Sequence, residues 1–382
     1  MGVIAAGARS PEVSALLADP SLGRDPATAA WVRGTAGTFL ELDEGFRPTG
    51  HPAVHVVPAA LTTAVSIHAT GAELAAAVAG GYEVAARLFE SFVLPKPMHP
   101  HGHFGALGAA TAVAMLHGHD PVELVRLAAT QPLLTGWSAC YEGATARNTW
   151  AGHANRAGIH AAVLHRAGFT GSLSSHLSVV APYAVEAGGL RAPVDPETLR
   201  IMRNYFKLHS ACALTHSALD ATVRAWRELD DEVGAIDRID VATVANNLRV
   251  DRQPRPNSLS TRFSLPYAVA AAILTGETGP SAFEWRADVA ELAARVHVTA
   301  DPDLDAHWPR AAPARVRIVT TSGTVEQQVD NPHGHHSDPA TREELRAKFE
   351  RIAGPGSAFD ALADLAGVTD CAALPLDPEI GV

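Results

Sequence analysis

His99, His101 and His103 occupy alternate positions in MHPHGHFGALGAATAVAMLHG and lead directly into a run of Gly, Ala and small apolar residues. So little side-chain volume predicts a helix packed tightly against other helices. Its N-terminal end would present imidazoles and backbone N–H groups, and the unsatisfied N–H groups and the helix dipole both favour negative charge there. The chemistry this implies is capture of a small anion beside His99. A second group, Glu41, Asp43, Glu44 and His51, lies in GTFLELDEGFRPTGHPAVHVVP. Pro48, Gly50 and Pro52 predict an ordered, non-helical loop here that exposes its carboxylates and His51. Such a loop is either a solvated acidic turn or a set of acid–base groups. A third stretch, YEGATARNTWAGHANRAG from Tyr141 to Gly158, is a polar loop feeding a helix and carries Arg147, His153, Asn155 and Arg156.

Other chemistries have sequence signals too. HPHGH at His99 and HGHH at His333 together suit a transition-metal site, giving a metal-binding protein or a metal-dependent hydrolase. Neither cluster has the i, i+4 spacing of a helical H-E-x-x-H. Cys140, Cys212 and Cys371 are scattered and form no C-x-x-C pair, which argues against a disulfide framework, a zinc knuckle or an iron–sulfur cluster. Cys212 reads as a small buried hydrophobe rather than an activated thiolate. A formal charge of −11 without a basic patch argues against nucleic acid as a partner. No apolar run reaches the ~18 residues that span a bilayer, and no leader pattern opens the sequence, so the expected location is the cytoplasm.

The elements that must position these groups are mostly helices. The chain of 382 residues is 47% hydrophobic and only 19% charged, and its length favours two domains. Short helical pieces separated by Pro and Gly fill the first 30 residues, and two helices joined near Gly71 cover Ala59–Phe92. A further helix is expected from about Pro121 to Leu134, others through His165, then a looser Gly/Ser segment to about Leu190. The texture changes near Asp195. A Pro-led helix start in DPETLR is followed by a break at Lys207–Ser210 and a second helix. IDRIDVATV, RVHVTADPDLD and VRIVTTSGTVEQQV alternate apolar and polar residues as strands do, the last with Ser322-Gly323 as a hairpin turn. RFSLPYAVAAAILTG lies between these strands as a buried helix, and PATREELRAKFERIAG is an amphipathic helix near the end. The chain thus reads as a helical body, an α+β insert, then helix again.

Six segments in order resemble the MmgE/PrpD family, over about residues 30–350. They are LELDEGFRPTGHPA, AGGYEVAARL, MHPHGHFGALGAATAVAMLHG, KLHSACALTHSALDA, RFSLPYAVAAAIL and the Gly334–Phe349 segment with its P-x-T-x-x-E-L-x-x-K-F pattern. The resemblance implies a mainly α fold: a large all-helical domain over 1–205, completed by 339–382, with an α+β lid domain inserted at 206–338. It further implies a homodimer, no metal and no organic cofactor, and a small carboxylic acid as substrate, bound between the helical domain and the lid.

Carried over residue by residue, the family's site falls on Glu41, Asp43, His51, His99, Arg147, Lys207, Cys212 and His216, with Arg249 by a looser alignment and Tyr267 as a further lining residue. The pocket departs from the decarboxylases of the family at several of these positions. Glu41 stands where they have Asp, Gly45 where they have Thr, Arg147 where they have Lys, Cys212 where they have His, and Arg249 near their lid Tyr.

Family reactions pass through carbanion- or enolate-like states next to a carboxylate, which calls for an acid or base titrating near neutrality and cations to hold carboxylates. His99 and His51 suit the first task, with Asp43 as orienter or relay; Arg147 and Lys207 suit the second. His101 and His103 are expected to support the site or face solvent, and Tyr267 fits core packing equally well. The expected activity is a cofactor-independent lyase of the dehydratase type. Epimerisation or decarboxylation is the alternative, and a non-catalytic homologue the last.

Overall fold

In a computed structural model, the described residues are 1–131, 135–172, 174, 178, 182, 190, 193–229, 233–354 and 359–376. The chain forms two compact units. The first comprises Met1–Gly136, Ala146–Asn204 and Thr341–Val382; the second comprises Trp137–Thr145 and Tyr205–Ala340.

The first unit is helical. Its elements are α1 (Gly2–Ala8), α2 (Pro11–Ala18), α3 (Pro26–Thr38), α4 (Pro52–Ser66), α5 (Gly71–Ser91), α6 (Phe104–His117) and α7 (Pro121–Ala128). The short α8 (Trp137–Glu142) belongs to the second unit, and α9 (Thr149–Arg166) to the first. Local chemistry starts these helices where the sequence predicts. Asp25 accepts from the N–H groups of Ala27 and Thr28 with Pro26 at N1, and Thr70 with Glu73 forms a capping box on α5. α6 is apolar on every side, and each residue from Phe104 to Ala114 is buried, as such a helix must be. It packs against α4, α5 and α9. Close approach explains the glycines: a Cβ on Gly81 would sit 2.5 Å from the Gly108 carbonyl oxygen, and one on Gly105 would sit 2.3 Å from the His55 ring. Gly118 ends α6 in the left-handed conformation.

The second unit continues with α10 (His216–Glu228), β1 (Ile236–Thr243), α11 (Ser258–Arg262), α12 (Leu265–Thr275), α13 (Ala287–Ala293), β2 (Val296–Ala300), α14 (Pro302–Asp305), β3 (Ala314–Thr320) and β4 (Thr324–Val329). The sheet order is β2-β1-β3-β4. β1 and β2 are parallel, with Val241 opposite Val298, and α11 to α13 lie in the crossover that a parallel pair requires. β1–β3 and β3–β4 are antiparallel, and the latter is the hairpin expected around Ser322-Gly323. α10 and α12 cover the sheet over a core that includes Ile239, Val241, Val316 and Ile318. The chain then returns to the first unit with α15 (Arg342–Ala353), capped by Thr341 and Glu344, and α16 (Phe359–Ala363). No helix among the described residues is long and apolar enough to cross a membrane.

Four expectations need correction. The helix after the acidic loop begins at Pro52 rather than Ala59 and carries Pro58 inside it. Proline removes a donor there, and Asn155 of α9 makes good the loss. Its Nδ2 donates to the orphaned Val54 carbonyl (2.9 Å), and its Oδ1 accepts the Ala59 N–H (2.8 Å). The acidic loop is not exposed: Glu41, Asp43 and Glu44 are all buried. The predicted helix from DPETLR is only a 3₁₀ turn, Arg200–Arg203. Partners on α5 displace it, since Glu83 accepts the Arg200 N–H (2.8 Å) and Glu83 and Glu90 pair with the Arg200 guanidinium. The helix expected from Pro121 ends at Ala128. Residues 132–134, most of the Gly/Ser segment before Leu190, and the last residues from 377 lie outside the described set.

Candidate active site

A buried cluster of histidines and carboxylates forms within the first unit. α3 ends at Thr38 and hands the chain to Glu41, which adopts φ +50°, a left-handed conformation that is uncommon for any residue with a Cβ and that the surrounding structure must hold. The loop is held from several sides. Lys348 of α15 donates to the Leu42 carbonyl (2.8 Å), Tyr82 of α5 donates to Glu44 Oε1 (2.5 Å), and Glu44 Oε2 accepts the Ala53 N–H at the start of α4 (3.0 Å). Glu44 therefore acts as a side-chain cap rather than as a solvated charge.

His51 stands immediately before α4. Its Nδ1 lies 2.7 Å from the Glu44 carbonyl oxygen and 3.0 Å from Asp43 Oδ2. Both neighbours are acceptors, so hydrogen bonding assigns the proton to Nδ1 and leaves the lone pair on Nε2. A buried carboxylate holding an imidazole in this tautomer is the arrangement of a general base.

His99 is tied differently. The His101 N–H donates to His99 Nδ1 (3.2 Å). Arg147 Nη2, also a donor, lies 3.5 Å from His99 Nε2, so both ring nitrogens face donors. The backbone of His99 is clamped as well. Thr135 donates its hydroxyl to the His99 carbonyl (2.6 Å) and accepts from His103 Nε2 (2.7 Å). The two catalytic candidates are thus held differently, His51 by acceptors at Nδ1 and His99 with donors facing both ring nitrogens.

Arg147, in the 3₁₀ turn before α9, is fully buried. It pairs with Glu41 Oε1 at 2.5 Å and donates to Asn148 Oδ1 at 3.0 Å. The guanidinium expected to grip a substrate carboxylate is therefore already engaged by the chain's own carboxylate at Glu41. Breaking such a buried pair leaves an uncompensated charge, so an incoming carboxylate must share Arg147 with Glu41 or take its place.

Two further histidines complete the cluster, and only the first of them carried no sequence expectation. His55, one turn after His51, is entirely buried: its Nδ1 donates to the His51 carbonyl (2.7 Å) and its Nε2 accepts the Gly102 N–H (2.9 Å). It thereby pins α4 to the histidine loop. Burial, opposed by the bond to His51, lowers its pKa to about 4. The i, i+4 spacing of His51 and His55 would have revealed it once the helix was known to start at Pro52. His101 is the other. It is fully buried, its ring meets those of His51, His99 and His55 edge-on at 4.6, 4.7 and 5.2 Å between centroids, and neither ring nitrogen has a hydrogen-bond partner. Burial, then the charges of Arg147 and the neighbouring histidines, push its pKa well below the usual histidine value. It is thus not a solvated residue. Asp43, His51 and His101 each offer a donor atom, and the three atoms lie within 4.8 Å of one another, so this group is a candidate metal centre.

The remaining predicted residues lie in the second unit. Lys207 and His216 are fully buried, and His216 Nε2 sits 3.0 Å from the Ala211 carbonyl oxygen. Cys212 is nearly buried, and its N–H donates to the Arg262 carbonyl. Arg249 is half-buried with its guanidinium 5.7 Å from the Trp137 ring centroid. Tyr267 is core: its hydroxyl donates to the Glu284 carbonyl (2.8 Å) and accepts the Arg286 N–H (2.9 Å). Of the two histidine-rich motifs, HPHGH belongs to the first unit and HGHH to the second, where His335 Nδ1 lies 2.8 Å from the Ser337 hydroxyl.

Comparison with known proteins agrees with the motif reading. The MmgE/PrpD N-terminal domain model matches residues 1–179 and the MmgE/PrpD C-terminal domain model matches residues 209–361. The human cis-aconitate decarboxylase is 26% identical, over 96% of this chain and 83% of its own length; the mouse cis-aconitate decarboxylase is 24% identical, over 92% and 76%. With both domain models matched in order along a mainly helical chain, the protein belongs to the MmgE/PrpD family.

Proposed function

We propose that the protein is a lyase acting on a small hydroxy- or polycarboxylic acid, and that it works by proton transfer next to a carboxylate without an organic cofactor. The observation that carries this reading is the buried pair of imidazoles, His51 held by acceptors and His99 beside Arg147. His51, with Nδ1–H held by the Glu44 carbonyl and Asp43, offers a basic Nε2; His99, with Arg147 Nη2 3.5 Å from its Nε2, is assigned the part of the acid. Dehydration needs both at once. A base removes the proton from the carbon next to the carboxylate, and an acid delivers a proton to the departing hydroxyl, so that water leaves and a C=C bond forms. Arg147 stabilises the enolate-like charge, in exchange for part of its pairing with Glu41. For Lys207, Cys212, His216 and Arg249 the assignment to the substrate rests on the family resemblance alone.

A second reading, decarboxylation, is favoured by the two cis-aconitate decarboxylases among the relatives. There the C–C bond to a carboxylate breaks, CO₂ leaves, and one histidine suffices to protonate the resulting carbanion. The substitutions Glu41, Gly45, Arg147 and Cys212 all touch the positions that the resemblance assigns to the pocket, and they are the reason this reading stands second.

The test is to offer the purified protein a panel of di- and tricarboxylic hydroxy acids and their unsaturated counterparts. Formation of a conjugated C=C bond from a hydroxy acid, without CO₂, is the expected result. Release of CO₂ from an unsaturated acid would select the second reading, and inertness toward the whole panel would overturn both.

A further inference from the structure

His101 is a buried polar side chain with two unsatisfied nitrogens, and an unmade hydrogen bond in the interior costs on the order of 1–3 kcal/mol for each group left bare. A protein keeps such a group when something outside the chain completes it. The direct neighbours narrow what that is. His55 offers nothing, because both of its nitrogens are bonded to backbone. His51 and Asp43 lie beside His101 with donor atoms no more than 4.8 Å apart.

We infer that Asp43, His51 and His101 form a binding site for one divalent first-row transition metal ion of the zinc class. Two imidazoles and one carboxylate match the borderline-soft cations that bind nitrogen and oxygen together, and they disfavour calcium and magnesium, which take oxygen ligands almost exclusively. The donor atoms lie within 4.8 Å of one another, against the ~3–4 Å between ligands that metal–nitrogen and metal–oxygen bonds of about 2 Å set, so occupancy requires at most small side-chain rotations. Three residues leave further coordination positions for water or for a substrate carboxylate. Ligation by His51 also occupies the base assigned above, so the ion and the proton transfer compete for one imidazole. Metal binding itself does not depend on the lyase reading, and its test needs no turnover.

The experiment titrates the full-length, metal-stripped protein with Co²⁺, read by its visible ligand-field bands, and with Zn²⁺ by calorimetry. One equivalent should bind, and His101→Ala should weaken binding at least tenfold, while the double variant His117→Ala, His119→Ala should not. The His117 and His119 ring centroids lie 5.7 Å apart and those of His119 and His165 4.9 Å apart, and this group is the rival chelator. Circular dichroism checks each variant. If His101→Ala fails to fold, Asp43→Asn, which keeps the side-chain shape and loses the charge, must show the same weakening. Absence of stoichiometric binding, or binding that survives His101→Ala or Asp43→Asn and disappears in the His117/His119 variant, would overturn the site. Inactivity toward every acid with metal binding intact would overturn the lyase reading alone.

Discussion

Two polar clusters in this molecule are built from the same residue types and differ in how completely they are satisfied. In the second unit, His209 bonds Thr278 Oγ1 through Nδ1 (2.7 Å) and Asp220 Oδ1 through Nε2 (2.9 Å), while Asp220 Oδ2 accepts the His333 N–H (2.7 Å). Burial would raise the Asp220 pKa, but the bonds to His209 and His333 outweigh it and hold the carboxyl below the usual range. In the first unit, His101 has no partner at either nitrogen, Glu41 sits in a left-handed backbone conformation, and Arg147 is locked to Glu41. A closed network holds a fold, whereas an open one stores free energy for a ligand. The contrast separates two clusters that residue composition alone would class together.

The comparison breaks most visibly if mutations in the two clusters have the same effect. His51→Ala and His99→Ala should each reduce turnover by about 10²–10⁴-fold, the usual contribution of an acid or base, with the thermal unfolding midpoint held within a few degrees of the parent. Near-parental rates in the His99 variant would remove it from the mechanism.

Next in size is a pH effect located in the first unit. His55 titrates near 6.5 when unfolded and at about 4 when folded, so below pH ~6.5 the unfolded chain binds more protons. Stability contributed by His55 is therefore complete above pH ~6.5 and is lost as pH falls toward 4, by on the order of 3 kcal/mol. Urea unfolding between pH 7 and pH 4 should show that slope, and His55→Gln should flatten it.

The smallest expected effect sharpens the other side. Asp220→Ala strips a partner from His209 and from the His333 N–H and should cost about 2 kcal/mol of stability, measured by urea unfolding. Activity per folded molecule should stay at the parental level. A selective loss of turnover there would show that the closed network serves chemistry as well.

Much of the fold was legible because its signals are local. The caps at Asp25, Thr70, Ser264 and Thr341 satisfy N–H groups two or three residues away, and the hairpin at Ser322-Gly323 needs only its own turn. Both are written into spacing. The DPETLR segment misled because Glu83 and Glu90, more than a hundred residues earlier, capture Arg200. Pro58 misled because the compensating amide belongs to Asn155, on another helix.

The sequence by itself determined the helical body with its α+β insert, the small residues that let α6 sink among α4, α5 and α9, and the residues to suspect: Glu41, Asp43, His51, His99 and Arg147. Only the tertiary structure decided what those residues are. It buried the acidic loop, engaged Arg147 with Glu41, enlisted His55 as a clamp 47 residues from the N–H it accepts, and left His101 unsatisfied among three other imidazoles. The reason is physical. Secondary structure answers to neighbours a few residues away, whereas a tautomer, a pKa or an unpaired nitrogen is set by whichever group packing brings within hydrogen-bond reach.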